Sequence, residues 1–460
     1  MSRMYPLFMN NFVLPIYDIA RGTSRFRAGL VLEKTQWFSQ REIQKLRNDN
    51  LHTLLKHAYE SVPYYRKMFK ERKLLPSDIK DPNDLTRLPI LTKDDIRKNF
   101  GELISNRVPK GGFIPCQSGG SGSPIKFYIT KEKSSWEIAA EYRAYSWAGY
   151  RLGDRSFKLW GSPLDLSRSK GIIRGFAKRL ERERVMDTYV ISNKVLDRFA
   201  YLLMKFRPDI VRGYASSVFM LARYLIEKGV DDVRPRAVIT AAETLFSSMR
   251  KTIEEAFGCP VFDFYASREI GAIASECEQH SGYHVSEENV CVEIVRRGEH
   301  VHPGEKGVIL VTSLRNFSMP FIRYSIGDVA TSCEETCRCG RGLALLSSIE
   351  GRVSEFMAVY DERQRRIVPV GPVYPVIINP AMHLPLESIR VIQESINRLL
   401  VKIVKGKGYS EKHTDFLLQH MQRYLGKDIE IDIEFVDYIP SLPSGKRSTF
   451  ISKINPFEQN

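Results

Sequence analysis

Apolar residues recur three and four positions apart over 195–206, 216–228 and 247–257, and the runs between them, 209–212, 236–240 and 260–264, are short and rich in Val, Ile and Phe. The spacing predicts helices for the first set and strands for the second. Strand and helix therefore alternate, the pattern of a parallel sheet whose strands are joined by crossover helices. Ligands of such sheets bind beyond the carboxyl ends of the strands. Two loops are predicted to leave those ends, at 241–243 and 265–269, and each brings a carboxylate, Glu243 and Glu269.

Beyond Val290 the pattern changes to hairpins, with strands predicted over 290–295 and 307–313 around a turn at Pro303 and Gly304. Past Gly351 and Arg352 a smaller unit begins, with strands at 389–393, 399–404 and 429–436 and a helix at 410–425 whose stripe is Leu417, Leu418, Met421 and Leu425. The predicted fold class is α/β. A large N-terminal domain, residues 1–352, holds a parallel sheet with crossover helices plus a β-rich subdomain, and a small mobile α+β C-terminal domain, residues 353–460, follows.

Charge and cysteine usage narrow the function classes. The chain has 460 residues and 69 Lys+Arg against 54 Asp+Glu, a net charge of +15, which fits phosphate-bearing ligands or an anionic surface. Nine of those charges lie in residues 1–110, which hold 21 basic and 12 acidic residues. A second basic knot spans 168–184, where Ile172, Ile173, Phe176 and Leu180 recur at helical spacing among seven basic residues and two acids. An anionic membrane or acidic polymer is therefore a candidate surface partner, although a solvated helix packed by one stripe is the commoner arrangement. No specific nucleic-acid motif accompanies the charge. The opening segment is rich in Phe, Met, Leu and Ile and is expected to pack onto the body of the protein. The seven cysteines make an odd count, and five of them fall between Cys277 and Cys339. That clustering argues for reduced thiols or a metal site, hence a cytoplasmic protein with peripheral membrane contact as a further option.

Four local features carry candidate chemistry. The loop Gln117 to Pro124 includes Ser118, Gly119, Gly120, Ser121 and Gly122, whose backbone N–H groups and hydroxyls suit phosphate oxygens, without the Lys-Ser/Thr ending of a Walker loop. Asp328 follows a glycine turn after a strand predicted at 321–323, where a carboxylate can grip ribose hydroxyls. Gly351 and Arg352 resemble a hinge, and Pro443 to Arg447, with Lys446 in it, a mobile basic loop. Cys277, His284, Cys337 and Cys339 form a Cys-x6-His and a Cys-x-Cys pair, the donor set of a closed tetrahedral zinc site, with Cys333 and His280 as rival ligands. Cys116, Cys259 and Cys291 read as small buried hydrophobes.

The order and spacing of these motifs, together with His57 to Arg66 and Leu88 to Lys93, resemble the adenylate-forming superfamily of acyl-CoA synthetases. Within it the likeness is to the phenylacetate-CoA ligase-like group that includes CapK-like capsular polysaccharide proteins. The resemblance implies that ATP and a carboxylic acid give an acyl adenylate, followed by transfer to a thiol such as CoA. It implies that Ser118 to Gly122 hold phosphate, that Ala242 and Glu243 form part of the adenine pocket, and that Tyr265 stacks on adenine. By the same resemblance Glu269 holds Mg²⁺, Asp328 grips the ribose, Arg352 reaches ribose or phosphate, and Lys446 bridges carboxylate and ATP. The chain departs from the pattern at Gly120 and Gln117, where hydroxyls are usual, and at Arg268, although Ser267-Arg268-Glu269 is familiar in the CapK-like branch. An AMP transferase and a non-catalytic zinc-stabilised binding module are the alternatives.

Overall fold

The computed structural model describes residues 4–108, 112–118, 124–160, 180–188, 191, 193–353, 356–361, 366–372, 381, 384–425, 429–440 and 449–454. Of the sequence candidates, Gly119, Gly120, Ser121, Gly122 and Lys446 lie outside them, as does most of the 168–184 knot.

The chain opens with helices α1 (Met4–Phe8) and α2 (Leu14–Arg21), joined by a π-helical turn, Met9–Val13, and continues through α3 (Arg25–Thr35), α4 (Gln40–Ser61), α5 (Pro63–Glu71) and α6 (Lys93–Lys98). Helix α4 starts where Ser39 and Glu42 form a reciprocal capping box, and Thr92 and Asp95 do the same for α6. A hairpin of β1 (Ile114–Gln117) and β2 (Lys126–Ile129) follows, then α7 (Lys131–Trp147).

The crossover region comprises β3 (Ser156–Trp160), β4 (Glu183–Asp187), α8 (Asn193–Phe206), β5 (Ile210–Tyr214), α9 (Ala215–Glu227), β6 (Ala237–Ala241), α10 (Ser247–Phe257) and β7 (Val261–Ser267). All five strands pair in parallel, as the alternating pattern predicts. Strands β5 and β6 are buried at every position, the mark of a sheet covered on both faces. Gly213 lies so near β3 that a Cβ there would sit 2.6 Å from the Leu159 carbonyl oxygen.

From β7 the same sheet turns antiparallel through β8 (Gly271–Glu276), β9 (Tyr283–Val285), β10 (Val290–Arg296), β11 (Glu299–His300), β12 (Lys306–Ser313), β13 (Tyr324–Ser332) and β14 (Leu345–Arg352). Together they make one 12-stranded sheet in the order β11-β10-β12-β13-β14-β9-β8-β7-β6-β5-β3-β4. Beyond it β15 (Phe356–Asp361) pairs with β16 (Arg366–Pro372). A separate four-stranded sheet combines β17 (Leu386–Ser395), β18 (Arg398–Lys405), β19 (Glu430–Phe435) and β20 (Phe450–Ser452) with helix α11 (Glu411–Leu425). The architecture is the mixed α/β one expected, with a large sheet and a smaller α+β unit.

Two local expectations differ. Residues 321–323 are bends rather than strand, because Arg323 adopts a left-handed backbone (φ 51°) and buries its side chain. The glycine turn before Asp328 is a bulge inside β13, where the register to β12 jumps from Ser325↔Leu310 to Val329↔Val308 and Gly327 takes φ 84°. A bulge of this kind bends the strand and re-aims the adjacent side chain. The opening segment does pack on the body through one face: Met9 is 2% exposed and its Cγ lies 2.8 Å from where a Cβ on Gly153 would sit.

Candidate functional site

The parallel-to-antiparallel switch places Tyr265, on the last turn of β7, beside the bulge of β13. The Tyr265 hydroxyl donates to Asp328 Oδ2 at 2.8 Å, and Arg352, at the end of β14 and in register with Asp328, brings Nε to 3.4 Å from Oδ1. Asp328 is buried, and its Oδ1 accepts no hydrogen bond. A buried carboxylate oxygen with a cation nearby but no donor is out of keeping with ordinary protein interiors. It fits a ligand hydroxyl. Burial pushes the Tyr265 phenol well above its ordinary value, and Asp328 adds to the shift, so this group stays a donor.

Glu269 lies in the turn between β7 and β8, 6% exposed, and accepts a hydrogen bond from the Tyr324 hydroxyl at 3.3 Å. The turn is held from below by Lys133 on α7, whose ammonium reaches the Glu269 and Ile270 carbonyls at 3.3 and 3.4 Å and pairs with Glu137. Gly271 is required there, since its φ is 92° and a Cβ would collide with Glu137. Glu243 accepts the Ser216 N–H at 2.9 Å, which ties the end of β6 to the start of α9, and Ala242 beside it takes a left-handed φ of 68°. Ser118 closes the neck of its loop in both directions: its N–H donates to Ile125 O and its Oγ accepts from Ile125 N, each at 2.9 Å.

Lys93 is a residue the motifs did not single out. Burial pushes its ammonium below the ordinary lysine value; Glu269 pulls it back up, Arg352 presses it down, and Asp328 pulls it up again. All three site charges thus act on it. The local cause is a backbone rung between Leu91 and Tyr324: Leu91 N–H donates to Arg323 O and Ser325 N–H to Leu91 O, both at 3.0 Å. Arg323 adds the anchor. Its guanidinium is held by Glu293 at 3.0–3.3 Å and donates to Leu88 O at 2.6 Å, Thr86 O at 3.3 Å and Gly298 O at 3.2 Å.

A second constellation lies where the loop after β8, strand β9 and the segment before β14 meet. One donor atom each from Cys277, His284, Cys337 and Cys339 lies within 4.8 Å of the others. The Cys277 and Cys337 sulfurs are 3.6 Å apart, and Cys339 Sγ is 3.3 Å from His284 Nε2. A tetrahedral zinc with about 2.3 Å sulfur bonds and 2.0–2.1 Å nitrogen bonds has edges of about 3.5–3.8 Å, so the four donors fit that ion. Backbone N–H groups of Gln279 and Arg341 donate to Cys277 and Cys339, at 3.4 and 3.5 Å. Burial pushes the His284 imidazole down to about 4, so the ring is neutral with a lone pair to offer, and the Leu343 carbonyl 3.4 Å from Nδ1 orients it. Arg341 lies over Trp147 and Trp37, pairs with Glu278, and shares Gln36 with Trp147, so the cluster is pinned to the helices around it. The rivals fall outside this group. His280 pairs instead with Glu276, and Cys333 is half-buried beside the cluster. Of the other thiols, Cys291 is buried and Cys116 and Cys259 are half-buried.

Comparison with known proteins adds relatives. The CapK C-terminal domain family matches residues 377–453. Protein CapK of Staphylococcus aureus is 25% identical over 418 residues, 90% of each chain. Phenylacetate-coenzyme A ligase of Thermus thermophilus is 27% identical over 327 residues, 69% of this chain and 72% of the relative, and that of Escherichia coli K12 is 28% identical over 380 residues, 78% and 84%. The chain is a homologue of CapK and of the phenylacetate-CoA ligases. Among solved structures, 2-hydroxyisobutyryl-CoA ligase in the postadenylation state superposes with a TM-score of 0.69 at 20% identity over 90% of each chain, which gives the fold.

In this CapK and phenylacetate-CoA ligase homologue, Glu269, Tyr265, Asp328 and Arg352 converge with Lys93, and Cys277, His284, Cys337 and Cys339 converge separately. The signal that could have found Lys93 is its place at the first position of α6, inside the Thr92-x-x-Asp95 capping box and at the end of a segment that carried the family resemblance.

Proposed function

We propose that this protein is an ATP-dependent ligase that adenylates a carboxylic acid and passes the acyl group to CoA. The observation that carries the reading is the orphaned, buried Oδ1 of Asp328 beside Arg352, an acceptor placed for a ribose hydroxyl. Tyr265 fixes the other oxygen. Mg²⁺, when bound by Glu269, supplies charge neutralisation for the phosphates. Lys93 and Arg352 add positive charge next to these two carboxylates, which suits a phosphate chain more than a second anion-poor ligand. Residues 353–460 are the unit that delivers Lys446 to the reacting carboxylate, and its withdrawal after adenylation opens the site for the thiol. Cys277, His284, Cys337 and Cys339 hold a structural zinc, four protein ligands leaving no open position for chemistry.

The match to Protein CapK over 90% of each chain favours one second reading, a CapK-like enzyme, which we take as an AMP transferase that stops at an adenylylated product. The test is carboxylate-dependent exchange of pyrophosphate into ATP across an acid library, with and without CoA. Exchange with CoA consumption supports the ligase, exchange without any use of CoA supports the transferase, and no exchange with any acid refutes both. Lys446→Ala should abolish exchange while nucleotide binding persists.

A further inference from the structure

The nucleotide site leaves two sequence features without a use: the apolar opening segment and the basic knot at 168–184. The structure brings their ends together. The Tyr5 hydroxyl donates to the Leu180 carbonyl at 2.7 Å, and the Arg182 guanidinium lies 3.9 Å from the centre of the Tyr5 ring. While Tyr5 and Met9 face the body, the opposite side of the same helical segment carries Met4, Leu7, Phe8, Phe12, Ile16 and Ile19, between 52% and 84% exposed. Phe8 and Phe12 stack at 5.8 Å, so the stripe is continuous across the π-helical turn. An exposed apolar stripe of this length on one helical face is an interaction site rather than scattered surface hydrophobics.

We propose that this face is a peripheral membrane-binding element that lies in the headgroup boundary of an anionic bilayer. Charge decides the occupant. Arg21, at the end of α2, and Arg27 and Lys34, on the α3 helix in contact with it, are exposed against one exposed acid, Glu33, because the other acid of the segment, Asp18, is buried and accepts from Thr23 and Phe26. A second copy of the chain would set these positive rims against each other, whereas anionic headgroups offset them. No helix among the described residues is long and apolar enough to cross a membrane, so the element lies on the bilayer. Met9 against Gly153 keeps it fixed to the body, which makes the surface preformed.

The experiment is co-sedimentation of the full chain with vesicles of phosphatidylcholine alone and of equal parts phosphatidylcholine and phosphatidylglycerol. Binding is expected to the second only, and to weaken as salt rises. Combined Phe8→Ser, Phe12→Ser and Ile16→Ser should cost on the order of tenfold in partitioning for each side chain removed. Should that variant fail to fold, judged by near-ultraviolet circular dichroism, Arg21→Glu with Arg27→Glu and Lys34→Glu tests the same surface through exposed charges alone. No binding to phosphatidylglycerol vesicles, or binding unchanged in both variants, overturns the proposal. So does a dimer in sedimentation velocity that the stripe variant converts to monomer without any vesicle binding by the parent.

Discussion

The two polar constellations of the large sheet differ in how completely they are satisfied. In the cysteine and histidine cluster every donor atom faces another donor or a backbone N–H, and the surrounding cation, Arg341, is itself paired with Glu278. At Asp328 one carboxylate oxygen is taken by Tyr265, and the other is buried with the Arg352 guanidinium 3.4 Å away but no hydrogen bond. The first arrangement is closed and suits an ion that never leaves. The second is incomplete and suits a ligand that comes and goes. Burial is similar in both, so completeness of hydrogen bonding, not depth, is what distinguishes the proposed metal site from the proposed nucleotide site.

The contrast breaks most visibly at the closed site. Cys277→Ala should remove the metal and cost more than about 5 kcal/mol, given the roughly 10–16 kcal/mol that structural zinc supplies to isolated fingers; metal content and denaturant unfolding check it, and a folded, metal-free parent protein would refute the site. Next comes the support beneath the open site. Arg323→Ala should cost about 3–5 kcal/mol, because Glu293 loses its buried guanidinium and keeps only the His300 imidazole at 3.1 Å. Asp328→Asn should leave stability nearly intact yet weaken nucleotide binding roughly 10–150-fold, the value of a hydrogen bond to a charged group. Calorimetric titration with ATP measures it. An Asp328→Asn protein that binds ATP normally would move the nucleotide elsewhere.

The smallest effect concerns Lys93. Burial holds its folded value below that of the unfolded chain, so between the two values the unfolded state binds more protons and stability rises with pH. Lys93→Met should flatten that rise, by at most about 1.4 kcal/mol per pH unit for one proton, in urea unfolding across the alkaline range.

The parallel half was legible because its signals are local: helices at 3.6-residue spacing and short apolar strands between them give nearly the observed bounds for α10 and β5 to β7. The grouping of Cys277, His284, Cys337 and Cys339 was legible for the same reason, through Cys-x6-His and Cys-x-Cys. The bulge at Gly327 was read as a turn because glycine marks both, and only the register between β12 and β13 distinguishes them. Lys93 was missed because nothing near it in sequence buries it. Its surroundings come from Glu269, Asp328 and Arg352, brought in by long-range strand pairing.

That long reach has a consequence in time. The hydrogen bond from Arg323 to the Leu88 carbonyl joins residues 235 positions apart. At about 5–20 residues per second, a ribosome finishes the partner roughly 10–50 s after the segment it must hold. Through that interval the nascent chain has Lys93 and the start of α6 but nothing to seat them against. The proposed nucleotide site is therefore a late product of synthesis, completed only once β13 and β14 have emerged and closed the antiparallel half of the sheet.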